Sequence, residues 1–464
     1  MLNRIYIVVG LFAILVLAAA FIVPRFVQWG DHRDRMEALA TGVLGAEVSI
    51  RGDIGFSLLP TPRLEFTDVI VGDAESPVAS VAAVEAEFAL MDFLRDNYTI
   101  TDLTLLRPVL DLVIDENGLF SSGVDIAGAG SAVALGHARI EGGGIRLTDL
   151  RADERFTALG ITGDLRLSSF TGPFQFQGVA EYDDARYEVR FNSGAADALG
   201  NSRVSSYLRE ASGSFSITAE GMLAAGMAPK FDGTLLFRQS PPAAARADDI
   251  RGDLVLESAI AVSTDRVVVS GYTLHPDENR AGMRLTGTAS IQLGARRSFD
   301  AVVSGGVFTL PPRDATEVAA ELPYEFVRLL AEIPPPPLPP MPGRLGVDLA
   351  EMGLRGFSLR EVRLEATTEG TDWRIAQAVA RLPGDTELRF SGTVTNEAGH
   401  VGLRGDLSMR ATRLDALAQL WRRQGEDNPL FNVPGALEGR LMLAGDAFGL
   451  GNGRLERAEG AELV

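Results

Sequence analysis

The sequence predicts a mainly β protein, with an N-terminal transmembrane helix followed by an extended antiparallel sheet of repeated units and a few short helices. Three observations predict this. Glycine is abundant, at 50 of 464 residues, and aromatics make up only 7%, a mix that suits short strands joined by tight turns. Apolar residues recur at spacing two, as in Leu165/Leu167, Phe174/Phe176, Phe215/Ile217, Leu235/Phe237 and Leu254/Leu256. These pairs are separated by turn residues at intervals of roughly ten to fifteen residues, the rhythm of a large antiparallel sheet. One long apolar run stands near the start of the chain.

That run is residues 5–23, IYIVVGLFAILVLAAAFIV, which carries no charge. At about 1.5 Å per residue it spans roughly 28 Å, close to the ~30 Å of a bilayer core. Tyr6 and Trp29 stand where interfacial aromatics belong. Ala18-Ala19-Ala20 offers a cleavage site, but the apolar run continues through Val23, which favours an uncleaved anchor. The expectation is a single-pass protein with its N-terminus cytoplasmic and its body across the membrane.

After the anchor and tail (1–30), residues 31–45 read as a helix, with Met36, Leu39, Ala40 and Val43 on one stripe. The period then changes to two. Val48, Ile50, Ile54, Phe56 and Leu58 fall on one face, with a bend expected at Gly52. Leu64 and Phe66 repeat the alternation, and the phase shifts at Val69 and Val71, as a bulge would cause. Val84, Ala86 and Phe88, then Leu103 and Leu105, then Leu110, Leu112 and Ile114 continue it to a turn at Asn117-Gly118.

Residues 265–290 resemble residues 372–395, with Leu285-Thr286-Gly287-Thr288 matching Phe390-Ser391-Gly392-Thr393. Helix-like stretches follow each copy, at 315–332 and 413–423. The expected organisation is therefore an N-terminal unit at 31–122, middle β units at 123–332, a Pro-rich linker at 333–342 and a C-terminal repeat at 343–464, which stops inside a sheet unit with no closing element. IPPPPLPPMP in that linker reads as a stiff polyproline spacer.

Composition excludes several chemistries. The net charge of −19 is wrong for a general nucleic-acid binder. There is no cysteine, only four histidines, and a single lysine, Lys230. Thiolate, zinc-ribbon and P-loop chemistry are thereby removed. His137 and Glu141 make a weak metal pair, and Asp183-Asp184 and Asp248-Asp249 read as solvated turns. Neither a catalytic site nor a cofactor is expected, so the chain is read as a non-enzyme. What remains is an apolar sheet face beside a membrane, covered either by a second sheet or by lipid chains in a trough.

The residues that order this region carry a resemblance. Gly52-Asp53, Leu58-x-Pro60, Leu64-x-Phe66-x-Asp68-Val69, Val71-Gly72-Asp73 and Leu103-x-Leu105-x-x-Pro108 occur in an order and spacing similar to the N-terminal region of AsmA-like proteins. The resemblance implies a bacterial inner-membrane anchor and a periplasmic body, with a role in outer-membrane biogenesis and assembly. It also implies similarity to chorein-type bridge-like lipid transfer proteins, whose twisted, repeated sheets form a groove for phospholipid. No catalytic residues come with it. The groove candidates are Val48, Ile50, Ile54, Phe56, Leu58, Leu64, Phe66 and Phe88. The expected partners are phospholipid acyl chains, the inner membrane through residues 5–23, and outer-membrane assembly proteins. The competing reading is a lipid-free scaffold that binds assembly factors through sheet edges and loops.

Overall fold

A computed structural model describes residues 33–44, 46–73, 77–89, 100–121, 137–167, 172–241, 252–279, 282–309, 335–354, 357–382, 384–397, 400–414, 433–444, 447–457 and 462–463. The expected membrane span at 5–23, the helix-like stretch at 315–332 and all but the first two residues of the one at 413–423 lie outside them. Among the described residues, no helix is long and apolar enough to cross a membrane. The chain divides into two compact units, Met1–Gly233 and Thr234–Val464.

Unit 1 opens with a helix, α1 (Arg33–Leu44). Strands β1 (Val48–Ile50) and β2 (Ile54–Ser57) both pair antiparallel with β3 (Arg63–Gly72). They are one edge strand broken at Gly52, where a Cβ would lie 2.3 Å from the Thr67 hydroxyl and 2.6 Å from its carbonyl oxygen. The bend expected at Gly52 is therefore present, and only glycine fits it. Next come β4 (Pro77–Phe88) and β5 (Ile100–Ile114), with the short β6 (Phe120–Ser121) turning back on β5. The meander continues through β7 (Ala138–Asp149), β8 (Glu154–Leu167), β9 (Phe174–Tyr182), β10 (Ala185–Ser193), β11 (Asn201–Glu210) and β12 (Phe215–Ala224). β13 (Lys230–Gln239) contains the unit boundary.

Unit 2 continues with β14 (Leu254–Ser263), β15 (Arg266–His275), β16 (Leu285–Gln292), β17 (Ser298–Thr309), β18 (Gly343–Leu354) and β19 (Phe357–Thr368). It ends with β20 (Trp373–Leu382), β21 (Thr386–Glu397), β22 (His400–Ala411), β23 (Gly435–Ala444), β24 (Ala447–Arg457) and β25 (Glu462–Leu463). The mainly β, antiparallel-rich expectation holds.

Two pairings depart from it: β7 runs parallel to β5, and β18 runs parallel to β17. Parallel neighbours need a long crossover, and residues 115–137 and 310–342 carry these two. The Pro-rich segment is thus the end of a crossover. Its Pro337 carbonyl accepts from the Trp373 indole N–H at 3.1 Å, and its Pro342 carbonyl accepts from the Phe299 N–H at 3.0 Å.

The phase shift at Val69 has a structural cause. Asp68, Arg107, Gly142 and Gly160 are left-handed, with φ between 47° and 63°. Asp68 and Ala82 drop out of the β3–β4 ladder opposite each other, and Ala82 and Arg107 do the same between β4 and β5. Each strand therefore inserts its extra residue at the same level. Register is kept across this crease from β3 to β5, which change phase together, whereas between β8 and β9 the extra residue is on β8 alone.

Loops are closed by aspartate. The Asp115 Oδ1 accepts from the Asn117 and Leu119 N–H groups at 2.9 and 2.7 Å. The Asp197 Oδ1 accepts from Leu199 and Asn201 at 2.8 and 2.9 Å. Gly118 and Gly200 take φ +80° in the matching position. The Asp183-Asp184 pair is a turn with both residues at positive φ, as a two-residue hairpin requires. These hydrogen bonds hold the Asp115 and Asp197 carboxyls below the ordinary carboxylate range, the largest cause being the Leu119 N–H for Asp115 and the Asn201 N–H for Asp197. A lowered folded-state pKa makes the ionised loop the stable one. Its contribution is full above about pH 4 and falls away as pH drops through the lowered value. The protection of the Leu199 and Asn201 amides, corrected for the intrinsic pH dependence of exchange, should therefore fall on acidification below pH ~4, and Asp197→Ala should show the low protection at neutral pH.

Candidate functional site: a single-layer apolar face

In a sheet, directly paired residues share a face, so the registers identify what lies together. One rung of unit 1 reads Phe56, Leu64, Ala86, Leu103, Ala138, Leu165, Phe176 and Phe191. Its neighbour reads Ile54, Phe66, Val84, Leu105, Ile140, Gly163, Gly178 and Val189. Beyond the crease a third reads Val48, Val71, Ala79, Leu110, Ile145 and Ala158. Unit 2 repeats the arrangement, with Val347, Leu364, Ala378, Phe390 and Leu407 on one rung and Leu345, Ala366, Ile375 and Gly392 on the next.

The other face is polar. Glu65, Glu85, Thr104, Arg139, Asp164, Gln177, Arg190 and Tyr207 form one rung. Arg139 lies 3.6 Å from Asp164, and the Arg190 guanidinium sits 5.6 Å from the Tyr207 ring centre. Arg63 bridges Glu85 and Glu87, and the Glu87 hydrogen bond is the chief cause of its raised pKa. In unit 2, Asp300–Arg344 at 2.8 Å and Asp406–Arg440 at 3.7 Å continue the pattern.

Within each unit, the described strands pack on their hydrogen-bonded neighbours, and α1 packs on β1. The apolar face is a single layer in both units, which removes the sandwich alternative for the described residues. The uncovered stretches show it: Ile145 is 38% exposed and Phe156 39%.

Glycine pairs set its local curvature. A Cβ on Gly163 would lie 2.4 Å from the Gln177 carbonyl oxygen, and one on Gly178 would lie 2.3 Å from that of Thr162. Gly221 with Gly233, and Gly392 with Gly405, show the same closeness, at 2.1–2.2 Å from the partner strand's carbonyl oxygens. These glycines stand on the apolar rungs, so the neighbouring strand folds over toward the apolar side. At Gly287, the Val302 carbonyl and the Tyr272 ring fill the Cβ position. The Tyr272 hydroxyl donates to that carbonyl at 2.8 Å, and burial pushes its pKa up.

The eight predicted residues gather around the first strands. Val48 and Ile50, each 4% exposed, are buried with Val69 and Val71, and Ile54 and Phe66 pack on them. Met36 and Ala40 of α1 pack on the same cluster. Phe56, Leu58 and Leu64 are half-buried, and Phe88 is 6% exposed at the end of β4. The rungs on which these residues stand run on past β4 through Leu110, Ile145 and Phe176. The prediction omitted Arg33, Glu37 and Thr41, which bind the edge of β1; their i, i+4, i+8 spacing was the available signal. His137 lies 2.8 Å from Asp102 and 3.2 Å from Asp164. No group of His, Asp and Glu among the described residues is arranged to hold a metal.

These features define a class of protein, built on a β-sheet with one apolar face left without a second layer. Residues 2–131 match the family model described as the AsmA family, and the chain is AsmA-like over that region. Comparison with curated proteins and with solved structures gives no match.

Overfilling a crease has a measurable effect. Gly178→Val forces the β8 backbone away and should lower unfolding stability by about 3 kcal/mol. Gly306→Val, where a Cβ meets nothing within 4 Å, should change it by no more than ~0.5 kcal/mol. Urea unfolding followed by circular dichroism reads both.

Proposed function

We infer that the chain binds or conducts phospholipids along its apolar sheet face, as an inner-membrane-anchored periplasmic protein of envelope and outer-membrane biogenesis. The observation that carries this reading is the single-layer apolar face, folded toward its own apolar side at the glycine pairs. Such a face in water is unfavourable by about 25 cal/mol per Å². An acyl chain laid on it removes that surface and its own, at about 0.8 kcal/mol per buried CH₂. The ladder offers no charged group on the apolar rungs, so binding rests on chain burial and is indifferent to the head group. Residues 5–23 hold the body beside its lipid source in this reading. The AsmA-like N-terminal region supports the same assignment.

The test uses the full chain in vesicles of phosphatidylethanolamine and phosphatidylglycerol, doped with phosphatidylethanolamine bearing a diazirine on its acyl chain. After irradiation, label should map to Leu110, Leu112, Ile145 and Phe156 and not to Asp111, Arg146 or Arg155. Ile145→Asp with Phe156→Asp should leave the fold intact and cut this label about tenfold. Label confined to residues 1–30 would overturn the reading and favour the lipid-free scaffold.

A further inference from the structure

Among the described residues of unit 1, the start of the apolar face is covered by a helix. The third rung runs from Val48 and Val71 beneath α1, through Ala79 and Leu110, to the exposed Ile145. A chain lying along that rung would pass from open sheet to the underside of the helix.

The way α1 is held there is unusual. The outer edge of β1, on the side away from β3, is a row of backbone groups that another strand would normally pair. Side chains of α1 take them instead. The Thr41 hydroxyl oxygen accepts from the Val48 N–H at 3.0 Å, and the Glu37 carboxylate accepts from the Ile50 N–H at 2.6 Å. Arg33 donates to the Ile50 carbonyl at 2.6 Å and to the Gly52 carbonyl at 2.8 Å. The spacing explains the fit. Residues i and i+4 of a helix are about 6 Å apart along its axis, and alternate residues of a strand are about 6.6 Å apart. Three side chains on one helical stripe thus imitate the edge of a strand.

We propose that α1 is a lid over the start of the lipid track, held shut by the Arg33–Glu37–Thr41 latch and displaced when an acyl chain takes the place of Met36 and Ala40. This rests on the lipid-binding reading above. The cover is reversible in its chemistry. A helix of this length is marginal by itself, and each latch bond exchanges with water at a net change of about fivefold in the open–closed ratio. The latch also blunts an edge strand that would otherwise pair with other chains.

The same photoreactive vesicles test it with the full chain. The readout is the ratio of label at Val69 and Val71, under the lid, to label at Leu110 and Ile145, outside it. The latch variant Arg33→Ala/Glu37→Ala/Thr41→Val should raise that ratio at least about fivefold over the wild type. Because the chain has no cysteine, Thr41→Cys with Val48→Cys gives a single disulfide across the latch. Oxidation should drive the ratio below the wild-type value, and reduction should restore it. The oxidised and reduced forms are one chain, so this comparison stands even if the latch variant folds poorly. An equal ratio in oxidised and reduced protein, with Leu110 and Ile145 labelled throughout, would overturn the lid and leave the track. Absence of label at Leu110 and Ile145 in every form would overturn both.

Discussion

Everything in each unit depends on cross-strand register. Because the side-chain period is two, a slip of one residue between neighbours would send a whole strand's apolar set to the charged face. The rung from Phe56 to Phe191 shows the register unbroken across a run of strands. It survives the crease at Asp68, Ala82 and Arg107 because the neighbouring strands insert their extra residues at the same level. The aligned insertions turn the strands without mixing the faces, and Phe66 and Val69 end on one cluster although they are an odd number of residues apart.

The charged face limits what the sheet can do. Its ion pairs are half-exposed, and such pairs contribute about 0–1 kcal/mol each. Their stronger effect is on assembly. A face lined by Arg139 and Asp164 in unit 1, or by Arg344 and Asp406 in unit 2, cannot serve as the inner wall of a sandwich without desolvating those charges. That face therefore stays in water, and the opposite, apolar side is left to curl, to take a small cover such as α1, or to take a ligand. The glycine pairs permit the first of these. Phe176, Phe231 and Phe390 each precede a crease glycine by two residues, and the Phe176 and Phe231 rings lie over the gap at Gly178 and Gly233, 2.8 Å from where a Cβ would be.

Much of this was legible in the residues. Alternation placed Val48 to Phe66 on one face, Gly52 marked the bend, and the odd step to Val69 marked the bulge, because each is a local property of the chain. The parallel pairings were not legible: β5 and β7 look like neighbours in an antiparallel series until the crossover between them is seen. The repeat was legible only at double length. The structure shows that Gly178, Gly233, Gly287 and Gly392 occupy equivalent creases, at steps of roughly 55 residues with one step doubled. A missing Cβ has no pattern until the partner strand shows what it makes room for. The latch was hidden for a related reason, since Arg33, Glu37 and Thr41 lie off the apolar stripe of a short helix and their partners are backbone groups of a later strand.

The repetition bears on specificity. A pocket recognises a ligand through polar groups placed around one position. Here apolar rungs recur on strand after strand, and the residues paired along them in unit 1 carry no polar or charged side chain. Such a surface measures length of hydrocarbon and little else, so an acyl chain at one register is nearly isoenergetic with the same chain moved along by a strand. Weak discrimination between neighbouring registers is what permits movement. Selection must then come from a place where the rungs are interrupted, and in unit 1 the rung from Val48 to Ile145 is interrupted at α1, which meets β1 through hydrogen bonds to its edge and through Met36 and Ala40 packed on the cluster of Val48 and Ile50. In the proposed lid, control is chemically separate from affinity: hydrogen bonds at the β1 edge would govern access, while burial along the rungs would govern binding.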